Sequence, residues 1–188
     1  MSTTTIIILV ALVFFAVAIL SMYNGLIRKK NEVQNAFGGM DVQLKKRYDL
    51  IPNLISTVKQ YMTHEKDLLS KVTELRTQAM SGKMSNDQKV DLDNQITGAM
   101  KGIMVAVESY PDLKANTNFL NLQRTMNEVE SQISASRRAY NAAVTDFNNG
   151  VQIFPNSIIA GMMKLTAKKV FEIQEVEREN VDAEALFI

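Results

Sequence analysis

The chain has 188 residues, with 21 basic and 20 acidic side chains, a formal net charge of +1 and no cysteine. That length suits one compact domain plus an attachment segment, and a nearly neutral chain has no electrostatic reason to bind nucleic acid. The lack of cysteine excludes a disulfide framework, thiolate metal sites and thiol nucleophiles, and leaves the redox compartment open.

The first element is the stretch from Ser2 to Ile27, which holds no charged side chain and is apolar throughout from Ile6 to Leu20. As a helix at about 1.5 Å per residue it is roughly 39 Å long, enough to cross a hydrocarbon core of about 30 Å. Tyr23 stands where an interfacial aromatic is expected, and Arg28, Lys29 and Lys30 follow as a membrane-proximal basic cluster that attracts anionic lipid headgroups. A cleaved signal is a poorer fit, because the basic n-region is missing and Ala16-Val17-Ala18 lies inside the apolar run. Without cysteine there is also no lipoprotein anchor. Residues 1–27 therefore read as a permanent single-pass anchor, helical over about 5–27. Basic residues flank only its C-terminal side, which places residues 28–188 in the cytoplasm.

The spacing then predicts one long helix over about 28–80. Val33, Phe37, Met40, Leu44, Tyr48 and Ile51 recur at intervals of three and four, and Ile55, Val58, Met62, Glu65, Leu69 and Val72 continue in phase beyond Pro52. Pro52 thus reads as a kink inside one helix, costing about 3 kcal/mol or more that packing must offset. Gly82 and Ser85-Asn86-Asp87 punctuate the next break. A helix over 88–108 follows, with Leu92, Ile96, Ile103 and Val107 on its apolar face. A turn at Tyr110-Pro111-Asp112 leads into a third helix over 115–148, with the stripe Phe119, Leu122, Met126, Val129, Ile133, Arg137, Tyr140, Val144 and Phe147. Residues 151–161 read as an apolar loop, 162–177 as a last helix, and the remainder as an acidic tail. No run alternates with a period of two, so the fold class is all-α: an anchor helix continuing into an antiparallel helical bundle.

Catalytic constellations are missing. His64 is the single histidine, and the His64-Glu65 pair lacks the second histidine of a zinc-protease helix because Leu68 stands there. No Glu-x-x-His pair, glycine-rich phosphate loop or nucleophile elbow occurs, so neither a cofactor nor a metal is predicted. Polar residues do lie on or beside the apolar stripes: Asp41, Arg47, Glu65 and Arg137. Buried charges need partners, and two readings stay open, a network that fixes helix register or a site for a ligand or partner.

The stretches DVQLKKRYDLIPNL at 41–54, VKQYMTHEK at 58–66, RRAYN at 137–141, VTDFN at 144–148 and FPNSIIAG at 154–161 resemble the LemA family. The resemblance implies a bacterial membrane protein with one N-terminal span, its N-terminus outside and a cytoplasmic helical bundle, and no established enzymatic activity. It supplies no catalytic residues; its motif positions here are Asp41, Arg47, Asp49, Pro52, Asn53, His64 and Glu65, with Arg137 and Tyr140 in the later motif. Some members resemble a magnetosome-membrane protein and some are encoded beside membrane proteases of the HtpX type. The ending ENVDAEALFI departs from the family's proline-and-valine ending. The expectation is a non-enzymatic scaffold at the inner face of a bacterial cell membrane that contacts lipid and self-associates or binds a membrane-protein partner. The alternative is an enzyme or a small-ligand or metal sensor built from the polar residues around Pro52.

Overall fold

The computed structural model describes residues 2–82 and 84–171, and no strand occurs among them. The first helix, α1, runs unbroken over Thr3–Val58, with Ser2 accepting a hydrogen bond from the Thr5 amide at its start. Its first part is bare: every residue from Ile6 to Val17 is exposed, Phe14 by 72%. From Leu26 onward one face is buried, through Val33, Phe37, Met40, Leu44, Tyr48, Ile51, Leu54 and Val58. Pro52 lies inside this helix with its ring exposed.

The expected continuation to about residue 80 does not occur. Helix α1 ends at Val58, residues 59–65 form a corner, and α2 runs over Lys66–Ala79 in the opposite direction. Its Arg76 reaches back to Tyr48, so the two helices form a hairpin. The apolar phase survives the corner because Met62, with its amide on the Val58 carbonyl at 2.8 Å, turns its side chain into the core. A buried residue in a tight corner keeps the same count as a helical one, so periodicity alone does not separate the two cases.

Helix α3 spans Asn86–Val107 behind a Ser85–Gln88 capping box, and a short turn of helix, α4, spans Pro111–Lys114. Helix α5 covers Thr117–Gln152, its first turn capped by the Asn116 side chain. Packed α2 against α3, and α1 against α5, the four long helices alternate in direction as an up-down-up-down bundle. Every member of the predicted α5 stripe is buried except Leu122 and Arg137, which are half-buried.

The C-terminal part also departs from expectation. Residues 156–161 of the expected apolar loop, with Met162, form α6, Asn156–Met162, which packs on α5 and α1. Lys164 adopts a left-handed backbone (φ 54°) and the Leu165 amide bonds back to the Ala160 carbonyl, which closes the helix. Residues 165–171 are not helical, so the helix expected over 162–177 is not formed there; its remainder, and the acidic tail, lie outside the described residues. Two asparagines of α5 hold this segment instead. Asn148 both donates to the Lys168 carbonyl and accepts from its amide, at 2.9 and 2.8 Å, and Asn141 does the same with Phe171, at 2.8 Å each. Phe171 is thereby buried edge-on against Tyr140, 5.4 Å between ring centres.

Candidate functional site

Three helices bring charge into the middle of the bundle. Arg47 on α1 is 2% exposed and Asp93 on α3 is fully buried, their Nη1 and Oδ1 atoms 2.9 Å apart. Arg47 also donates to Thr97 at 2.9 Å and to Glu130 of α5 at 2.7 Å. Arg137 of α5 donates to the other oxygen of Asp93. Two guanidinium groups and two carboxylates therefore neutralise one another across α1, α3 and α5, which is the condition for burying them at all. The pairing is incomplete in geometry: Asp93 Oδ1 is close to Arg47 without the alignment of a hydrogen bond, and Nε of both Arg47 and Arg137 has no hydrogen-bond partner.

This network borders an opening. Helices α3 and α5 leave a groove of about 620 Å³ between them, lined by Thr97, Met100, Met104, Met126, Glu130 and Arg137 among others. Its charged lining residues are Lys101, Glu130 and Arg137; the last two belong to the network, their side chains 46% and 22% exposed. The groove is apolar with a charged edge, so chemically it suits recognition more than proton transfer. Nearby, the Tyr48 hydroxyl is pushed far above the ordinary tyrosine range, first by burial and then by the charge of Asp93, with Arg47 acting in the opposite sense. Burial raises Tyr140 as well.

A second set of contacts secures the helix around Pro52. A proline has no amide hydrogen, so the carbonyl four residues earlier loses its helical partner. That carbonyl belongs to Tyr48, and it accepts a hydrogen bond from Arg76 Nε of α2 at 2.8 Å. The interruption in the α1 ladder is thus satisfied from the neighbouring helix.

The residues singled out from the sequence do not gather at one point. Asp41 pairs with Lys89 of α3, 2.7 Å apart, and Asp49 with Lys45 one turn earlier on the same exposed face. Asn53 is exposed, and its carbonyl accepts from the Thr57 hydroxyl. His64 is exposed in the corner before α2, whereas the half-buried Glu65 accepts from the Tyr110 hydroxyl at 2.6–2.7 Å. That hydrogen bond is the main cause raising the Tyr110 pKa. Alongside, Asn116 donates to the Tyr61 hydroxyl at 3.0 Å. Tyr140 is buried against Phe37, 5.7 Å between ring centres. At the end nearest the apolar stretch of α1, Lys29 pairs with Asp146 of α5, Arg28 is exposed and Lys30 is half-buried. Asp41, Arg47, His64 and Glu65 thus fall into separate clusters, with about 16 Å of helix between Arg47 and the end of α1 at Val58.

Sequence reasoning missed Asp93, Glu130 and Arg76. A signal for Asp93 was available: it is in phase with Ile96, Met100, Ile103 and Val107, so it occupies a core position of α3 as Arg137 does on α5.

A family model described as LemA family matches residues 36–184. The chain is 29% identical over 163 residues to Protein LemA of Metamycoplasma hominis, which covers 87% of this chain and 74% of that protein. It is 21% identical over 175 residues to the magnetosome proteins MamQ 1 and MamQ 2 of Paramagnetospirillum magneticum, over 80% of this chain and 64% of each of theirs.

Proposed function

Because the chain belongs to the LemA family, we propose that it is a membrane-anchored, non-enzymatic scaffold whose helical bundle self-associates or binds a membrane-protein partner at the inner face of a bacterial membrane. The observation that supports this reading most is the make-up of α1. It is long and apolar enough to cross a membrane, its apolar stretch is unburied, and the same helix continues into the bundle core. A bare apolar stretch of this length needs surroundings other than water. The bundle at its end spends its central charges on internal pairing, and the groove between α3 and α5 is left as a surface for a partner. The basic residues at 28–30, on the C-terminal flank of the apolar stretch, support a cytoplasmic bundle.

Cross-linking in native membranes followed by mass spectrometry tests this reading. Links to a second copy, or to one recurring membrane protein such as an HtpX-type protease, support it. A protein that stays monomeric in detergent and yields no cross-link contradicts it. Orientation is tested separately: a tag after Ile188 is expected to be protected from external protease in intact cells, and cleavage there overturns the cytoplasmic placement.

The ligand-sensor reading has less support, because Asp41, Arg47 and Glu65 hold different partners and His64 lies exposed in the corner before α2.

A further inference from the structure

Large apolar side chains exposed on the bundle are mostly scattered singly: Val42 on α1, Met80 after α2, Val105 on α3 and Leu120 on α5. One segment differs. Between residues 153 and 162, Ile153, Phe154, Ile158 and Met162 are 60%, 76%, 57% and 78% exposed. Ile158 and Met162 are one turn apart on the same face of α6, while Ala160 is buried.

The position of this patch identifies what covers it. Helix α5 runs antiparallel to α1, with Glu130 beside Arg47, Tyr140 beside Phe37 and Asp146 beside Lys29. At Gly150 the α5 backbone lies against side chains of α1, so that a Cβ there would meet Lys29 Cδ at 2.9 Å and Leu26 Cδ2 at 3.4 Å. Continuing the register sets Ile153 and Phe154 level with Tyr23, in the charge-free stretch of α1. At about 1.5 Å per residue that level is roughly 7 Å on the membrane side of Arg28. Such a depth matches the roughly 5–10 Å to which interfacial amphipathic elements enter a bilayer. Basic side chains surround the same end: Arg28 on α1, and Lys164, Lys168 and Lys169 just after α6 are all exposed. Cations beside an apolar wedge complement anionic headgroups above acyl chains.

We propose that the α5–α6 corner, through Ile153, Phe154, Ile158 and Met162, inserts into the headgroup–acyl boundary of the bilayer that α1 crosses, giving the bundle a second membrane contact. This rests on the membrane-anchor reading. Two points of contact, unlike one helix alone, fix how the bundle is rotated about α1 and which of its faces is presented to a partner.

The natural chain has no cysteine, so single labelling sites are available without other changes. Full-length Phe154→Cys, Met162→Cys, Phe14→Cys and Val105→Cys proteins, each carrying a polarity-sensitive fluorophore, are reconstituted at low density in phosphatidylethanolamine–phosphatidylglycerol vesicles. Expected are blue-shifted emission without iodide quenching at positions 154, 162 and 14, with quenching by shallow nitroxide lipids at 154 and 162 and by deep nitroxide lipids at 14, in the middle of the span. Position 105 shows the reverse. Because both probe sites are more than three-quarters exposed, labelling them leaves the core untouched. Lipid quenching at 14 with iodide quenching at 154 and 162 overturns the second contact and leaves the anchor standing. Iodide quenching at 14 as well removes the anchor reading itself. Protection of 154 and 162 from both quenchers means that protein covers the patch, which also overturns the proposal.

Discussion

Along α1, the side chains from Ile6 to Val17 are exposed on every face, whereas beyond Leu26 a single stripe is buried and the remaining faces meet solvent. The backbone is the same helix throughout; only the arrangement of apolar residues changes. Where apolar side chains surround the helix no protein element covers it, and where they recur at intervals of three and four α5 and α2 do. The contrast teaches that exposure has opposite meanings in the two halves. Val42, 56% exposed, is one apolar residue on a solvated face, but Leu12, 61% exposed, is part of a continuous apolar surface.

The largest expected effect falls on the packed half. Asp93→Ala leaves the buried Arg47 and the half-buried Arg137 without their shared carboxylate, and about 3–5 kcal/mol of bundle stability is expected to be lost, read as a lower thermal midpoint in detergent. Membrane retention is expected to be unchanged; if it fell too, the two halves would not be independent. The bare half gives the converse. Leu12→Arg disfavours insertion by about 2.5–3.5 kcal/mol, so membrane fractionation declines while the thermal midpoint holds, and Val42→Arg changes neither.

A smaller effect is expected at the proline. Arg76→Ala strands the Tyr48 carbonyl at a cost of about 1–3 kcal/mol. Pro52→Ala restores an amide donor to that carbonyl, so the same Arg76→Ala change costs less in its presence. Equal costs in both backgrounds, from chemical denaturation, would show that Arg76 does not serve the carbonyl.

The smallest effect at neutral pH comes from the buried tyrosines. Tyr48 and Tyr140 both have raised folded-state values, so the stability they contribute is complete below the unfolded value of about 10 and is lost as pH rises through the folded values. Stability is therefore expected to decline above about pH 10, and the decline to be shallower in Tyr48→Phe. A decline as steep as in the parent would contradict this.

Much of this architecture was legible in the residues. The bare first part of α1 shows as a charge-free run, the α5 stripe as unbroken spacing, and the passage of α1 through Pro52 as continuous phase with no turn chemistry nearby. The corner at 59–65 was hidden, because Val58, Met62 and Leu69 stay in register across it. The segment after α6 was misread because Asn141 and Asn148, side chains on another helix, hold it extended. Of the charge network, Arg47 and Arg137 stood out as cations on apolar stripes, but their anions did not. Partner choice is set by tertiary placement, and Asp93 lies on α3 while Glu130 is a half-buried residue beside the α5 stripe.

Under the proposed function, α1 is one rigid connection between the bilayer and the bundle. Electron–electron resonance between spin labels in full-length Leu20→Cys/Lys46→Cys protein in nanodiscs measures it, since both positions are exposed. A continuous helix predicts one narrow distance distribution near about 39 Å at 1.5 Å per residue. A broad distribution, or one centred well below that value, would contradict it.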